Sequence, residues 1–144
     1  MQAEGREWVT TFSEAARNSF DYVFTDAMTF LDHKGRRTHL WVNKEVIIDD
    51  EQAYMDMMLD RICSVLEEPV DMYVNSCFLP DAMSDRYDMF WTEERIDRFV
   101  NALAKSGKAL EINELYHIPN KAIIQKAKAA GVSSRSVPTI SRRR

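Results

Sequence analysis

Four side chains set out what this sequence offers a substrate: Asp26, Asn75, Glu111 and Asn113. Each follows or ends a short β-prone run. Tyr22, Val23 and Phe24 precede Asp26, residues 70–74 (VDMYV) precede Asn75, and the run 108–112 holds Glu111 and leads into Asn113. A set rich in oxygen and poor in nitrogen can bind a hard or borderline divalent metal, or hold the hydroxyls and phosphate of a substrate. Asp26 or Glu111 can act in it as a general base, with Asn75 and Asn113 as substrate-binding amides. His117, in the loop above Glu111, is a further substrate-binding candidate, whereas His33 and His39 fall in a polar loop. The plainer alternative stays open: Asp26 and Asn75 cap loops, and Glu111 pairs with a lysine.

Those residues meet only if the chain between them alternates strand and helix. It does so three times, over 21–68, 70–106 and 108–130. Each crossover is long enough for a parallel connection, and parallel strands bring their carboxyl ends to one side. Asp49 or Asp50 caps a helix that Pro69 ends, with Tyr54, Met58, Ile62, Val65 and Leu66 recurring at helical spacing. Thr92 caps a second, whose stripe is Ile96, Phe99, Val100 and Leu103 and whose stop is Gly107. Pro119 and Asn120 open a third, which Gly131 closes before Val132 begins an extended segment. Ahead of them, 8–20 reads as a helical stretch with Trp8, Phe12, Ala15 and Ala16 on one side and Ser13 as a cap.

Two loops are long. Residues 29–49 contain a polar turn at 31–38 around Gly35 and a short strand at 39–42; residues 76–91 contain Pro80 and several aromatics. Long loops at the carboxyl ends of strands often cover sites.

Composition narrows the classes. With 144 residues, 45% hydrophobic and 29% charged, the chain can bury a real core. No apolar run approaches the ~18 residues of a membrane span, and MQAEGREW lacks the apolar centre of a signal peptide, so the expectation is cytoplasmic. Cys63 and Cys77 read as reduced, buried small hydrophobes, and Met55, Met57, Met58, Met72, Met83 and Met89 as core filler. There is no Gly-rich phosphate loop, no GxSxG and no Cys–His arrangement, which weakens nucleotide-binding and acyl-transfer readings. The net charge is −4, yet residues 133–144 carry four arginines and no acid; without them 15 basic residues face 23 acidic, a balance of −8. A body that acidic argues against nucleic acid as the main partner.

Three segments in order, FDYVFTDAMTF (20–30), VDMYVNSCFLP (70–80) and ALEIN…AKAAGV (109–132), resemble the polymerase and histidinol phosphatase (PHP) superfamily. The resemblance spans residues 21–132. It implies an α/β fold, a partial (β/α) barrel of the PHP type with parallel strands and outer helices. It also implies phosphoester hydrolysis at a site of two or three divalent metals such as Zn, Mn or Fe, with Asp26 and Glu4 as the candidate metal ligands. Two departures weaken that set. Asn75 stands where the family pattern has a metal-binding histidine, and Met28 where it has another. The family's His-x-His and Asp-x-His strands have no counterpart here. The expectation is a divergent metal-dependent hydrolase or an incomplete piece of one. The alternatives are a non-catalytic protein that binds a polar small molecule, or an inactive truncated product. A polar or phosphorylated small molecule is the expected partner, with self-association through exposed barrel edges and no role for nucleic acid or membrane.

Residues 1–132 form the expected domain and 133–144 a basic, disordered tail. SSRSVPTI (133–140) can be written as a one-base-shifted reading of codons for KFSFGTNN, which opens with KFSFGT, a strand such as the family has after AKAAGV. The tail is therefore expected to be frameshifted, and Met1 an internal start within a longer domain.

Overall fold

The computed structural model describes residues 12–137. It is a mixed α/β fold with four parallel strands in one sheet and a two-stranded antiparallel hairpin beside it. The elements run α1 (Glu14–Arg17), β1 (Phe24–Thr25), β2 (Thr29–Leu31), β3 (Arg37–His39), α2 (Glu51–Val65) and β4 (Met72–Tyr73), then α3 (Asp81–Ser84), α4 (Tyr87–Phe90), α5 (Glu93–Ser106), β5 (Ala109–Asn113), α6 (Lys121–Ala129) and β6 (Ser134–Val137). The main sheet is ordered β1-β4-β5-β6, so chain order and spatial order agree.

Local chemistry sets the helix starts. The side chains of Asp50, Thr92 and Asn120 accept hydrogen bonds from the backbone N–H groups of Ala53, Arg95 and Ile123. Each thereby satisfies one of the donors a helix leaves free at its amino end. At the other end of α5, Gly107 takes the left-handed conformation at φ 71°, which a residue without a Cβ enters at little cost.

The helical stripes build the core. Tyr54, Met58, Ile62 and Val65 of α2 are buried with Ile96, Phe99, Val100 and Leu103 of α5 and Ile123 and Ala127 of α6. The packing order is α2 on α5 and α5 on α6. Phe99 reaches the sheet, its ring 6.1 Å from that of Tyr73 in β4. Tyr73 pairs in register with Leu110, and both belong to this core. Phe24, Met72 and Ala109 are the register partners one residue earlier, so they point to the opposite face. On that face Phe24, in β1, is 58% exposed, whereas Met72 in β4 is buried.

Several expectations need correction. The helical stretch at 8–20 is described only as the single turn Glu14–Arg17, which buries no residue and leaves Phe12 exposed, while Trp8 lies outside the described residues. The strand placed at 39–42 lies at Arg37–His39 and pairs with Thr29–Leu31. The turn between them is tighter than 31–38 because Asp32 fastens it. Its Oδ1 accepts from the N–H groups of Lys34 and Arg36 at 2.8 and 2.9 Å, and its Oδ2 from Arg36 Nε at 2.8 Å. The loop 76–91 contains two helical turns, α3 and α4. Where a disordered end starts in the sequence reading, residues Ser134–Val137 pair with β5 as a parallel strand. Met89 is exposed rather than core, and Met57 and Cys63 are only partly buried; both cysteines are free, as expected, and Cys77 is buried.

Candidate functional site

The sheet delivers Asp26, Asn75, Glu111 and Asn113 to one place. Asp26 directly follows β1, Asn75 comes shortly after β4, and Glu111 and Asn113 lie in β5. Because the three strands are parallel and adjacent, these positions share the sheet's carboxyl edge. Asn75 joins them. Its backbone N–H donates to Glu111 Oε2 at 2.5 Å, and its Nδ2 donates to Asp26 Oδ2 at 3.2 Å. Its Oδ1 accepts from Asn113 Nδ2 at 3.3 Å. Glu111 is buried, and strand alternation puts it and Asn113 on the face of Ala109. The backbone amide of Asn75, not a lysine, is Glu111's partner here. Asp26 also closes a turn, its Oδ1 accepting from Met28 N at 3.0 Å.

This polar chain anchors two loops. The carbonyl of Asn75 accepts from Phe78 N at 3.2 Å. Asn113 Oδ1 accepts from Leu115 N and Tyr116 N at 3.1 and 3.2 Å, and the Asn113 backbone exchanges bonds with Ile118 at 2.8 and 3.2 Å. Apart from glycines, the described residues with positive φ are Asn75 (50°), Cys77 (64°) and His117 (54°). All three fall in these loops. Asparagine and histidine are enriched in that region, whereas a cysteine enters it less often.

Between the loops lies a cleft of about 580 Å³, whose walls include Trp41, Phe78, Asp81, Asp88, Tyr116 and His117. The rings of Phe78 and Tyr116 meet edge to face at 5.6 Å. Trp41 comes from the segment after the hairpin, its ring 5.0 Å from that of His39. His39 is itself fixed by Glu45, whose Oε2 lies 2.5 Å from Nδ1. The hydrogen bond from the His39 ring, and then that from its backbone N–H, hold the Glu45 carboxyl below its ordinary value. Behind the cleft wall, burial pushes the Cys77 thiol well up. A thiol so held is a poor nucleophile.

Glu4 lies outside the described residues. Among those described, no group of three or more His, Cys, Asp and Glu side chains is placed to hold a metal ion. The donors to Asp26 and Glu111 are one amide side chain, that of Asn75, and the backbone N–H groups of Asn75 and Met28, and an N–H directed at a carboxylate oxygen takes the position a cation would need. The described residues do not fit the two- or three-metal centre that the resemblance implies.

The sequence singled out the strand-end residues, and the structure brings Asp26, Asn75, Glu111 and Asn113 together in one network. His117 stands apart from that network, on the cleft. The cleft's other walls, Trp41, Phe78, Asp81, Asp88 and Tyr116, were not singled out. For all but Tyr116, which lies in the short loop after β5, the signal was present only as length and aromatic content in the two long loops. No helix among the described residues is long and apolar enough to cross a membrane. Compared with protein-family models, curated proteins and solved structures, the chain matches none.

Proposed function

We propose that this chain binds a small polar molecule at the carboxyl edge of its parallel sheet, and that the sheet is an arc of a (β/α) barrel. The observation that carries the binding reading is the network through Asn75: one set of side chains fixes two of the three loops that wall the cleft, those of Phe78 and Tyr116. Open parallel sheets bind ligands outside the carboxyl ends of their strands, and a cleft of this size suits a metabolite. The arc reading rests on the two faces of the sheet. One is covered by α2, α5 and α6; the other, the side of Phe24 and Ala109, carries Glu111 and Asn113, as the inner face of a barrel would. A thermal-shift screen of polar metabolites tests the binding reading. A saturable rise in melting temperature, lost in Trp41→Ala and Tyr116→Ala, supports it; no shift from any metabolite sinks it.

A metal-dependent phosphoester hydrolase of the PHP type is the second reading. In its favour, Asp26 and Glu111 are both bonded to Asn75. It needs ligands beyond the described residues, with Glu4 the candidate. Hydrolysis of p-nitrophenyl phosphate with added Mn²⁺ or Zn²⁺, abolished in both Asp26→Ala and Glu111→Ala, would establish it.

A further inference from the structure

We propose that the cleft takes a small organic cation, an ammonium or guanidinium group on a metabolite-sized body. This rests on the binding reading and names the ligand's chemistry.

The walls divide into π-faces and carboxylates. Trp41 and Tyr116 are each about half exposed, at 55% and 52%, and both line the same cleft, so two aromatic rings are open to a molecule that enters it. Phe78 stands edge-on to Tyr116, leaving its own ring half-buried at the same wall. Aromatic faces attract cations through the ring quadrupole, and Trp and Tyr do so best.

The carboxylates make the cleft electronegative. Asp81 Oδ2 accepts from the Asn43 amide at 2.9 Å, and Asp88 Oδ1 from the Asn120 amide at 2.9 Å. Those amides orient the two acids without neutralising them. No lysine or arginine is among the described residues that line the cleft. Asp26 and Glu111 add two more acids at the same edge of the sheet, bonded to Asn75. An anionic phosphoester entering such a cleft would meet two carboxylates, with His117 and the amino end of α6 the nearest opposing groups on its walls, whereas an organic cation would meet two oriented carboxylates and several rings.

The geometry also separates binding from support. Asn75 and Asn113 hold the loops from behind, while Trp41, Tyr116, Asp81 and Asp88 face the space. The test can therefore change the walls and leave the support alone.

The experiment titrates the full chain with choline, arginine and spermidine. Their uncharged or anionic counterparts are 3,3-dimethylbutan-1-ol, the neutral carbon analogue of choline, and p-nitrophenyl phosphate. Melting temperature and tryptophan fluorescence are the readouts. The expected result is saturable binding of at least one cation and none of the neutral analogue. Asp88→Asn and Asp81→Asn should each weaken binding about fivefold, the worth of one nearby charge at a solvated site. Asp88→Asn keeps an oxygen for the Asn120 amide, so its fold should hold, and an unchanged melting temperature without ligand verifies that. Trp41→Ala should abolish the fluorescence response. The proposal is overturned if the neutral analogue binds as well as choline, or if the asparagine variants bind the cation unchanged. If a neutral or anionic probe binds and Tyr116→Ala removes it, the cation is wrong and the binding reading stands. If no probe of any charge binds, both fall.

Discussion

Asn75 and Glu111 lie 36 residues apart in sequence, and the Asn75 N–H donates to the Glu111 carboxylate at 2.5 Å. That bond ties the end of β4 to the middle of β5 at the point where Asn75 turns left-handed, with φ at 50°. A buried carboxylate that accepts from a backbone amide is a strong, charge-assisted partner. The same contact therefore fixes the strand pair and starts the loop that carries Phe78.

Removing that acceptor should destabilise the whole sheet. Glu111→Ala leaves the Asn75 N–H without its partner in a buried setting, a loss of about 1–3 kcal/mol. Glu111→Gln keeps an oxygen and loses the charge, so its loss should be about 1 kcal/mol. Urea unfolding midpoints rank the two. Equal stability of Glu111→Ala and the parent chain would show that the bond contributes nothing.

Asp32 predicts an acid limb in the stability curve. Burial favours its neutral form. The N–H of Arg36, the Arg36 guanidinium and the N–H of Lys34 outweigh that, and hold the carboxyl at about 2 against an ordinary 3.8. The folded state thus binds its proton later than the unfolded chain does. The resulting stabilisation is complete above about pH 4 and drains as pH falls toward 2; it is worth about 2 kcal/mol. Asp32→Asn should be less stable than the parent by about that amount at pH 6, with the gap closing near pH 2. A gap that stays constant from pH 6 to pH 2 would refute this.

What the sequence made readable, and what it hid, follows from how local each interaction is. Caps at Asp50, Thr92 and Asn120 act within one helical turn, so residue type and position announce them. Alternation of strand and helix predicts parallel order, and the order β1-β4-β5-β6 follows. The hairpin was only half seen. Gly35 marks a turn, but the tightness of that turn depends on Asp32 folding back onto Arg36. Strand β6 was only half seen: an extended segment was expected from Val132, but Ser134, Arg135 and Ser136 carry no β pattern and pair because β5 offers a row of backbone donors and acceptors. The cleft was hidden because its rings come from three separate loops, and no spacing rule links Trp41 to Phe78 to Tyr116.

The outer side of β1 predicts self-association. Phe20, Tyr22 and Phe24, before and in β1, are exposed. Apolar rings beside a strand at the end of a sheet are a template for a second chain. Sedimentation velocity should show concentration-dependent dimers or larger species. Phe24→Lys combined with Tyr22→Lys should shift the distribution toward monomer. An association unchanged by both substitutions places the contact elsewhere.

Asn113 should control the order of the loop that carries Tyr116 and His117. Its Oδ1 takes the N–H groups of Leu115 and Tyr116, while its Nδ2 reaches Asn75. Two substitutions separate these tasks. Asn113→Asp keeps oxygens for Leu115 and Tyr116 but removes the donor to Asn75. Asn113→Ala removes both. If the loop is held by the Oδ1 bonds, amide exchange at Leu115 and Tyr116 should quicken about five- to tenfold in the alanine variant and stay near the parent rate in the aspartate variant, since one such bond is worth about 1 kcal/mol. Equal acceleration in both variants would assign the loop's order to the Asn75 link instead, and would make the contact between the two asparagines the element that keeps the cleft in shape.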